Sequence, residues 1–219
     1  MKMRPIIYSL IVLALCVGGC GEKKLPEEKS ASELVALAQE RYDKRDYGTA
    51  ILVFQRVKDW YPFSELVPTV ELKIAEAYFK LKEYDQAADA YQEFANLHPR
   101  NPSTPYAYFQ IGQCFFVRMD TIDRDQNPAR KALDSFTRFV RRYPDDQYTE
   151  LAKAHIKECQ KSLASHELLV ARYQFKKKNY KAALVRFRII LDDYPDVGIQ
   201  HIVLQYLAKC EANIKNTAP

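Results

Sequence analysis

Glycine is scarce in this chain: six occur in 219 residues, and two of them, Gly18 and Gly19, close an N-terminal apolar segment. The other four, Gly21, Gly48, Gly112 and Gly198, stand too far apart to build a phosphate-cradling loop, which removes the motifs made from closely spaced glycines. Charge of one sign is missing as well. The formal net charge is +5, and it falls to +3 once Lys2 and Arg4 are set aside with the N-terminal segment, a near balance from which nucleic acid is not expected as a partner. No CxxC pair occurs. His155 and Cys159 share a helix face at i, i+4 with His166 nearby in sequence, yet no further ligands converge in the pattern to complete a metal site. No serine, histidine and acid arrangement can be assembled, and the many carboxylates fall at solvent-facing helical positions. The chain is therefore expected not to be an enzyme and to carry no metal or cofactor.

A second long apolar run is also absent; the one present lies at the start. Lys2 and Arg4 precede an apolar stretch from Ile6 to Val17, which is too short to span a bilayer as a mature helix and has the form of a secretory leader. It ends in Val17-Gly18-Gly19-Cys20, two small residues before a cysteine, the pattern cleaved in bacterial lipoproteins. Residues 1–19 are thus expected to be a leader and Cys20 the acylated first residue, its covalent lipid holding the protein on a membrane surface outside the cytoplasm. Gly21, in place of an aspartate, resembles the outer-membrane sorting pattern of such lipoproteins. The polar stretch from Gly21 to Lys29 cannot bury enough apolar surface to fold, so residues 20–30 are expected to form a tether. Ser30 with Glu33 has the form of a capping box opening the first helix. Cys114, Cys159 and Cys210 remain, widely spaced; they suit buried thiols acting as small hydrophobes, with a disulfide between two of them as the alternative.

What the chain does have is a repeat. Counting back from Pro62, Pro99, Pro144 and Pro195, the eighth residue is Phe54, Tyr91, Phe136 or Phe187 and the twelfth is Ala50, Ala87, Ala132 or Ala183. Small, then aromatic, then proline is the second half of a tetratricopeptide repeat. The first half appears as Leu37-Ala38, Ile74-Ala75 with Tyr78, Ile111-Gly112 with Tyr108 and Phe115, and Val170-Ala171. Small residues let two antiparallel helices approach closely, and proline ends the second helix because it lacks an amide hydrogen and clashes with the preceding turn. One pair cannot bury its own faces, so the pairs must stack. Residues 31–215 are expected to be an all-α, right-handed tetratricopeptide-repeat solenoid of about four repeats and a terminal half-repeat. Irregular spacing predicts an inserted loop from Arg118 to Asn127 and one long helix from about Tyr148 to Lys177 with a kink near Ser162 to Ser165.

Between Leu168 and Leu191 there are seven cations and no acid. Lys176, Lys177 and Lys178 are explained by a helix C-terminus, where cations complement the dipole. Arg186 and Arg188 are not, and two readings stay open: a solvated helix face, or a docking surface for an acidic partner, since a guanidinium fork suits carboxylates.

Asp123-Arg124-Asp125, followed by Ala129-Arg130, Phe136, Val140-Arg141, Tyr143-Pro144 and Gln147-Tyr148, resembles the signature of the BamD family, the tetratricopeptide lipoproteins of the outer-membrane β-barrel assembly machine. Tyr61-Pro62-Phe63, Ala77 to Lys80, and Tyr180 through Arg186 to Asp193-Tyr194-Pro195 extend the likeness over nearly the whole chain. The resemblance implies a scaffold on the periplasmic side of the outer membrane that holds the barrel-forming subunit BamA and other machine subunits, and helps deliver unfolded β-barrel clients. It implies that Arg186 makes a salt bridge to BamA, with Arg188 beside it in the same basic stretch, and that clients engage the N-terminal repeats, which carry Tyr61, Pro62 and Phe63. Other tetratricopeptide lipoproteins, such as pilus-assembly pilotins or cell-wall-coordination proteins, would share Cys20 and the repeat spacing without Asp123-Arg124-Asp125.

Overall fold

A computed structural model describes residues 29–217. Cys20, the leader and most of the tether lie outside the described residues. Among the described residues there are nine helices and no strand: α1 Ala31–Asp43, α2 Tyr47–Trp60, α3 Val67–Lys80, α4 Tyr84–Leu97, α5 Thr104–Phe116, α6 Asn127–Arg142, α7 Thr149–Lys176, α8 Tyr180–Asp193 and α9 Gln200–Thr217. Each helix packs on its neighbours in sequence, so the chain is an all-α, tetratricopeptide-like solenoid. The long helix expected in the fourth repeat is α7, a single assigned helix through Ser162–Ser165 and about 42 Å long at 1.5 Å per residue. No described helix is long and apolar enough to cross a membrane.

The four prolines of the repeat sit two residues past the ends of α2, α4, α6 and α8. The intervening residues, Tyr61, His98, Tyr143 and Tyr194, share one conformation, with φ from −122° to −133° and ψ from 53° to 66°. A following proline disfavours the helical region for the residue before it, so these four leave the helix together. At three of the four exits the carbonyl is bonded from a fixed place six residues on: Thr104 Oγ1 donates to His98 O at 2.5 Å, Thr149 Oγ1 to Tyr143 O at 2.6 Å, and Gln200 Nε2 to Tyr194 O at 3.2 Å. That accounts for Thr104 and Thr149 being polar yet almost fully buried. Prolines also open helices, near the N-termini of α3, α5 and α6, where a missing amide hydrogen costs nothing.

The turns within the first, second and fourth pairs are copies of one device. Arg45, Lys82 and Lys178 each have φ of 62° or 63°, the left-handed geometry that closes a helix C-terminus. The tyrosine two residues later packs edge-on against an aromatic five residues before it, in the pairs Tyr42–Tyr47, Phe79–Tyr84 and Phe175–Tyr180, with ring centroids 5.1 to 5.4 Å apart. Such edge-to-face pairs add about 0.5–1.5 kcal/mol beyond their buried area, a contribution of the size needed to offset a non-glycine residue at positive φ. The third pair lacks this turn and has the insertion instead, here residues 117–126, because Asn127 already belongs to α6.

The core is divided into four clusters, each built from three consecutive helices. Phe54 and Val57 centre the first, over α1 to α3. Tyr91 and Phe94 centre the second, over α3 to α5, which also buries Ala75 and Ala87 completely. Phe109, Phe136 and Phe139 form the third, over α5 to α7. Phe187 and Ile190 form the fourth, over α7 to α9. Cys114, Cys159 and Cys210 are buried free thiols, one in each of the last three clusters in chain order. Burial pushes the Cys114 and Cys159 thiols up to about 12, which keeps them protonated.

His155 belongs to the third cluster as a packing residue. Its ring lies 4.1 Å from Phe116 and 5.2 Å from Phe136, centroid to centroid. Gln113 Nε2 donates to its Nε2 at 3.0 Å, and its buried Nδ1 finds no partner among the described residues. Cys159 instead donates to Met119 Sδ at 3.6 Å. Among the described residues, no three His, Cys, Asp or Glu side chains group as metal ligands.

Two predictions follow from this third cluster. A Cβ on Gly112 would lie 2.5 Å from Phe136 Cε1, against a ring that is itself fully buried, so Gly112→Ala should destabilise the protein by about 1–3 kcal/mol. An unchanged urea midpoint would contradict that packing. Burial holds the His155 imidazole below its ordinary range, opposed by Glu158, so as pH falls the unfolded chain takes up this proton before the folded one does. Stability should therefore drop as pH falls below about 7, toward and past the ordinary histidine value near 6.5. Melting curves of His155→Leu should show a shallower drop than the wild type over that window.

Candidate functional site

The candidate residues lie on three separate surfaces. On the α7–α8 pair, Ala183, Phe187 and Ile190 point into the core, which places Arg186 on the flank of α8. There its Nη1 meets both carboxylate oxygens of Glu167 on α7, at 3.1 and 2.8 Å. Glu167 is 8% exposed while the Arg186 side chain is 45% exposed, so the pair spans the boundary between core and solvent. A guanidinium has five N–H donors, and among the described residues only Nη1 is engaged, which leaves the rest of the fork to a second carboxylate. Arg188 lies nearer the end of the array, 3.7 Å from Glu211 on α9, with both side chains more than half exposed. The lysines at the end of α7 are exposed, and Lys177 sits 5.7 Å over the Tyr173 ring. Within the basic stretch, the lysines at the helix end are thus set apart from Arg186 and Arg188, which have in-chain acidic partners. Glu167 is the residue the charge pattern did not reveal, since it lies one position before the acid-free stretch begins.

The second surface is the turn between α2 and α3. Tyr61 is half-buried against the first core cluster, whereas Pro62 is exposed and Phe63 is 100% exposed. Backbone bonds from Ser64 N to Tyr61 O and from Val67 N to Ser64 O, both 3.0 Å, fix the turn and hold Phe63 outward. Trp60, the only tryptophan in the chain, is 56% exposed beside it. The exposed aromatic surface is therefore Trp60 with Phe63, and Tyr61 is its root. Trp60 was detectable in sequence: it stands two residues before Pro62, where the other repeats carry Leu97, Arg142 and Asp193.

The third surface is the insertion. Asp123, Arg124 and Asp125 are all exposed. Thr121, through its side chain, holds the Asp123 carboxyl below the usual range; Arg124 pairs with Asp120 at 3.4 Å; and Asp125 Oδ1 accepts from Asn127 N at 2.9 Å, at the start of α6. Beneath them Gln126, only 3% exposed, donates to Thr121 O at 3.2 Å and Arg124 O at 3.0 Å and accepts from Ser162 Oγ of α7 at 3.2 Å. His166 Nδ1, also on α7, donates to Ile122 O at 2.6 Å. The loop is thus clamped to the long helix, which presents its charged triplet outward in one shape.

Among solved structures, the TPR2AB domain of yeast Sti1 aligns with a TM-score of 0.47 and 13% identity, covering 85% of this chain and 71% of that one. Proteins named outer membrane protein assembly factor BamD are similar in sequence. That of Rickettsia prowazekii is 29% identical over 201 residues, covering 89% of this chain and 78% of its own length. That of Neisseria gonorrhoeae is 29% identical over 209 residues, covering 88% and 78%. That of Caulobacter vibrioides is 28% identical over 195 residues, covering 86% and 64%. A family model described as YfiO, outer membrane lipoprotein, matches residues 27–218, which takes in every helix described above. With that span of agreement, the chain belongs to the YfiO family of outer membrane lipoproteins.

Proposed function

We propose that this protein is an outer membrane protein assembly factor: a lipid-anchored periplasmic scaffold that binds BamA and helps deliver unfolded β-barrel proteins for insertion. The observation that carries the reading is the family match over residues 27–218, because it runs through the irregular loop and the long helix as well as the generic repeats. In this reading Cys20 carries the lipid and the tether leads from the membrane surface to the solenoid. Arg186 and Arg188 receive carboxylates of BamA, and Trp60, Pro62 and Phe63 give an unfolded client an apolar contact at the opposite end of the array. Asp123, Arg124 and Asp125, held rigid by Gln126 and His166, offer a charged contact to another subunit of the machine. Each step is binding, and none requires a catalytic group.

Arg186 has two carboxylates to serve, which makes its variants informative. Arg186→Ala would leave Glu167 buried and unpaired, at a cost of about 1–3 kcal/mol of stability, and would also weaken binding to the periplasmic domains of BamA by about 2–5 kcal/mol. Adding Glu167→Gln should recover much of the stability and none of the affinity. Calorimetric titration of both variants checks this, and near-wild-type affinity of the double variant would remove Arg186 from the interface. Cys20→Ala should release the protein from washed membranes that lack BamA. Mass spectrometry that finds an unacylated mature N-terminus beyond Cys20 would refute the anchor.

A further inference from the structure

A surface that the assembly-factor reading does not use lies between α5 and α6. Helix α6 carries five cations, Arg130, Lys131, Arg138, Arg141 and Arg142, against the single carboxylate of Asp134. Three of them, Arg138, Arg141 and Arg142, line a groove of about 500 Å³ whose apolar side is formed by Tyr108 and Ile111 of α5 and by Phe139. Arg142 is held in place without being neutralised: its Nη1 donates to Tyr108 Oη at 2.9 Å, and its guanidinium lies 4.7 Å over the Tyr108 ring and 5.5 Å over that of Tyr143. Arg138 pairs with Asp134 at 2.9 Å, where both side chains are more than 60% exposed and screened by solvent. Arg141 forms no ion pair among the described residues.

We propose that this groove binds an extended polypeptide segment in which acidic and apolar residues alternate. Arg138 and Arg142 are one helical turn apart, a rise of about 6 Å along α6. Alternate side chains on one face of an extended chain are about 6.6 Å apart, so two carboxylates at i and i+2 meet the two guanidinium groups in register. The intervening side chain points the other way, onto Ile111 and the Tyr108 ring. Guanidinium forks pair with planar carboxylates through parallel hydrogen bonds, and Arg142 is already oriented for this by its tyrosine. The volume suits a few side chains and is too small for a folded domain. A phosphate-bearing headgroup is a poorer match, because the cations are strung along the helix and do not converge on one point.

The test uses the full-length protein in detergent and a fluorescein-labelled hexapeptide, Asp-Leu-Asp-Leu-Asp-Leu, read by anisotropy at fixed ionic strength. The proposal expects saturable binding, at least tenfold weaker for the same peptide with lysine in place of aspartate. Arg138→Glu with Arg141→Glu should reverse that order and prefer the lysine peptide. If the reversed variant fails to fold by circular dichroism, Arg138→Gln, a change at an exposed side chain whose ion-pair partner Asp134 is also exposed, should still weaken the acidic peptide about threefold or more, and unchanged affinity would overturn the proposal. Removing three charges elsewhere, with Lys176→Ala, Lys177→Ala and Lys178→Ala together, should leave binding within twofold. An equal loss in that variant would show unspecific attraction. Displacement of the peptide by phosphatidylglycerol vesicles, with no such displacement by neutral ones, would reassign the groove to lipid headgroups.

Discussion

Everything in this molecule rests on helices α3, α5 and α7 each being able to serve two cores at once. Helix α3 gives Val70, Ile74 and Ala77 to the cluster before it and Ala75 to the one after; α5 gives Ala107, Ile111 and Cys114 to one side and Phe109 to the other. A helix can do this only if one of its faces is shaved down to alanine or glycine, which is why small residues recur at fixed places. At Gly112 the requirement is tightest, since the Phe136 ring occupies the space a methyl group would need. The long helix α7 meets the same demand by length, placing Ala152 and Cys159 in one core and Ala164 and Ala171 in the next. Stability in such an array is a sum of neighbour interactions, and no single centre dominates it.

That arrangement fixes where interaction surfaces can be. Helix interiors are consumed by stacking, so side chains free to meet partners lie at turns, on flanks, or on the one insertion. Phe63 stands on a turn, Arg186 on a flank, and Asp123 to Asp125 on the insertion. The insertion would be a poor recognition surface if it were loose, because ordering it would cost conformational entropy on binding. Gln126 and His166 meet that cost during folding, using α7 as the fixed wall.

The repeat was legible in the sequence because its determinants are local: proline two residues past a helix end, alanine twelve residues before it, an aromatic between. The insertion and the long helix were legible as departures from that spacing. Partnerships between side chains far apart in sequence were not. Nothing local marks Glu167 as the partner of Arg186 nineteen residues on, or Gln126 as the residue that reaches Ser162 across thirty-six. Tyr61 and Phe63 look alike in a pattern of exposed-turn aromatics, and only the packing of α1 to α3 separates the half-buried ring from the exposed one. The repeated turn at Arg45, Lys82 and Lys178 is hidden in the sequence for a different reason, since basic residues carry no outward sign of positive φ.

The three buried thiols bear on how the chain survives its own synthesis. In the folded protein they are protonated and out of reach of oxidants, but an unfolded thiol has an ordinary acidity near 8.5 and full access to solvent. Protection is therefore acquired on folding, and it is acquired piecemeal, because Cys114, Cys159 and Cys210 belong to three successive clusters, each of which closes only when its own three helices have met. In any oxidising compartment the chain is in a race between stacking and mispairing. Cys210 is at risk longest if the array grows from its N-terminal end, since its shelter depends on α9, the last helix to dock.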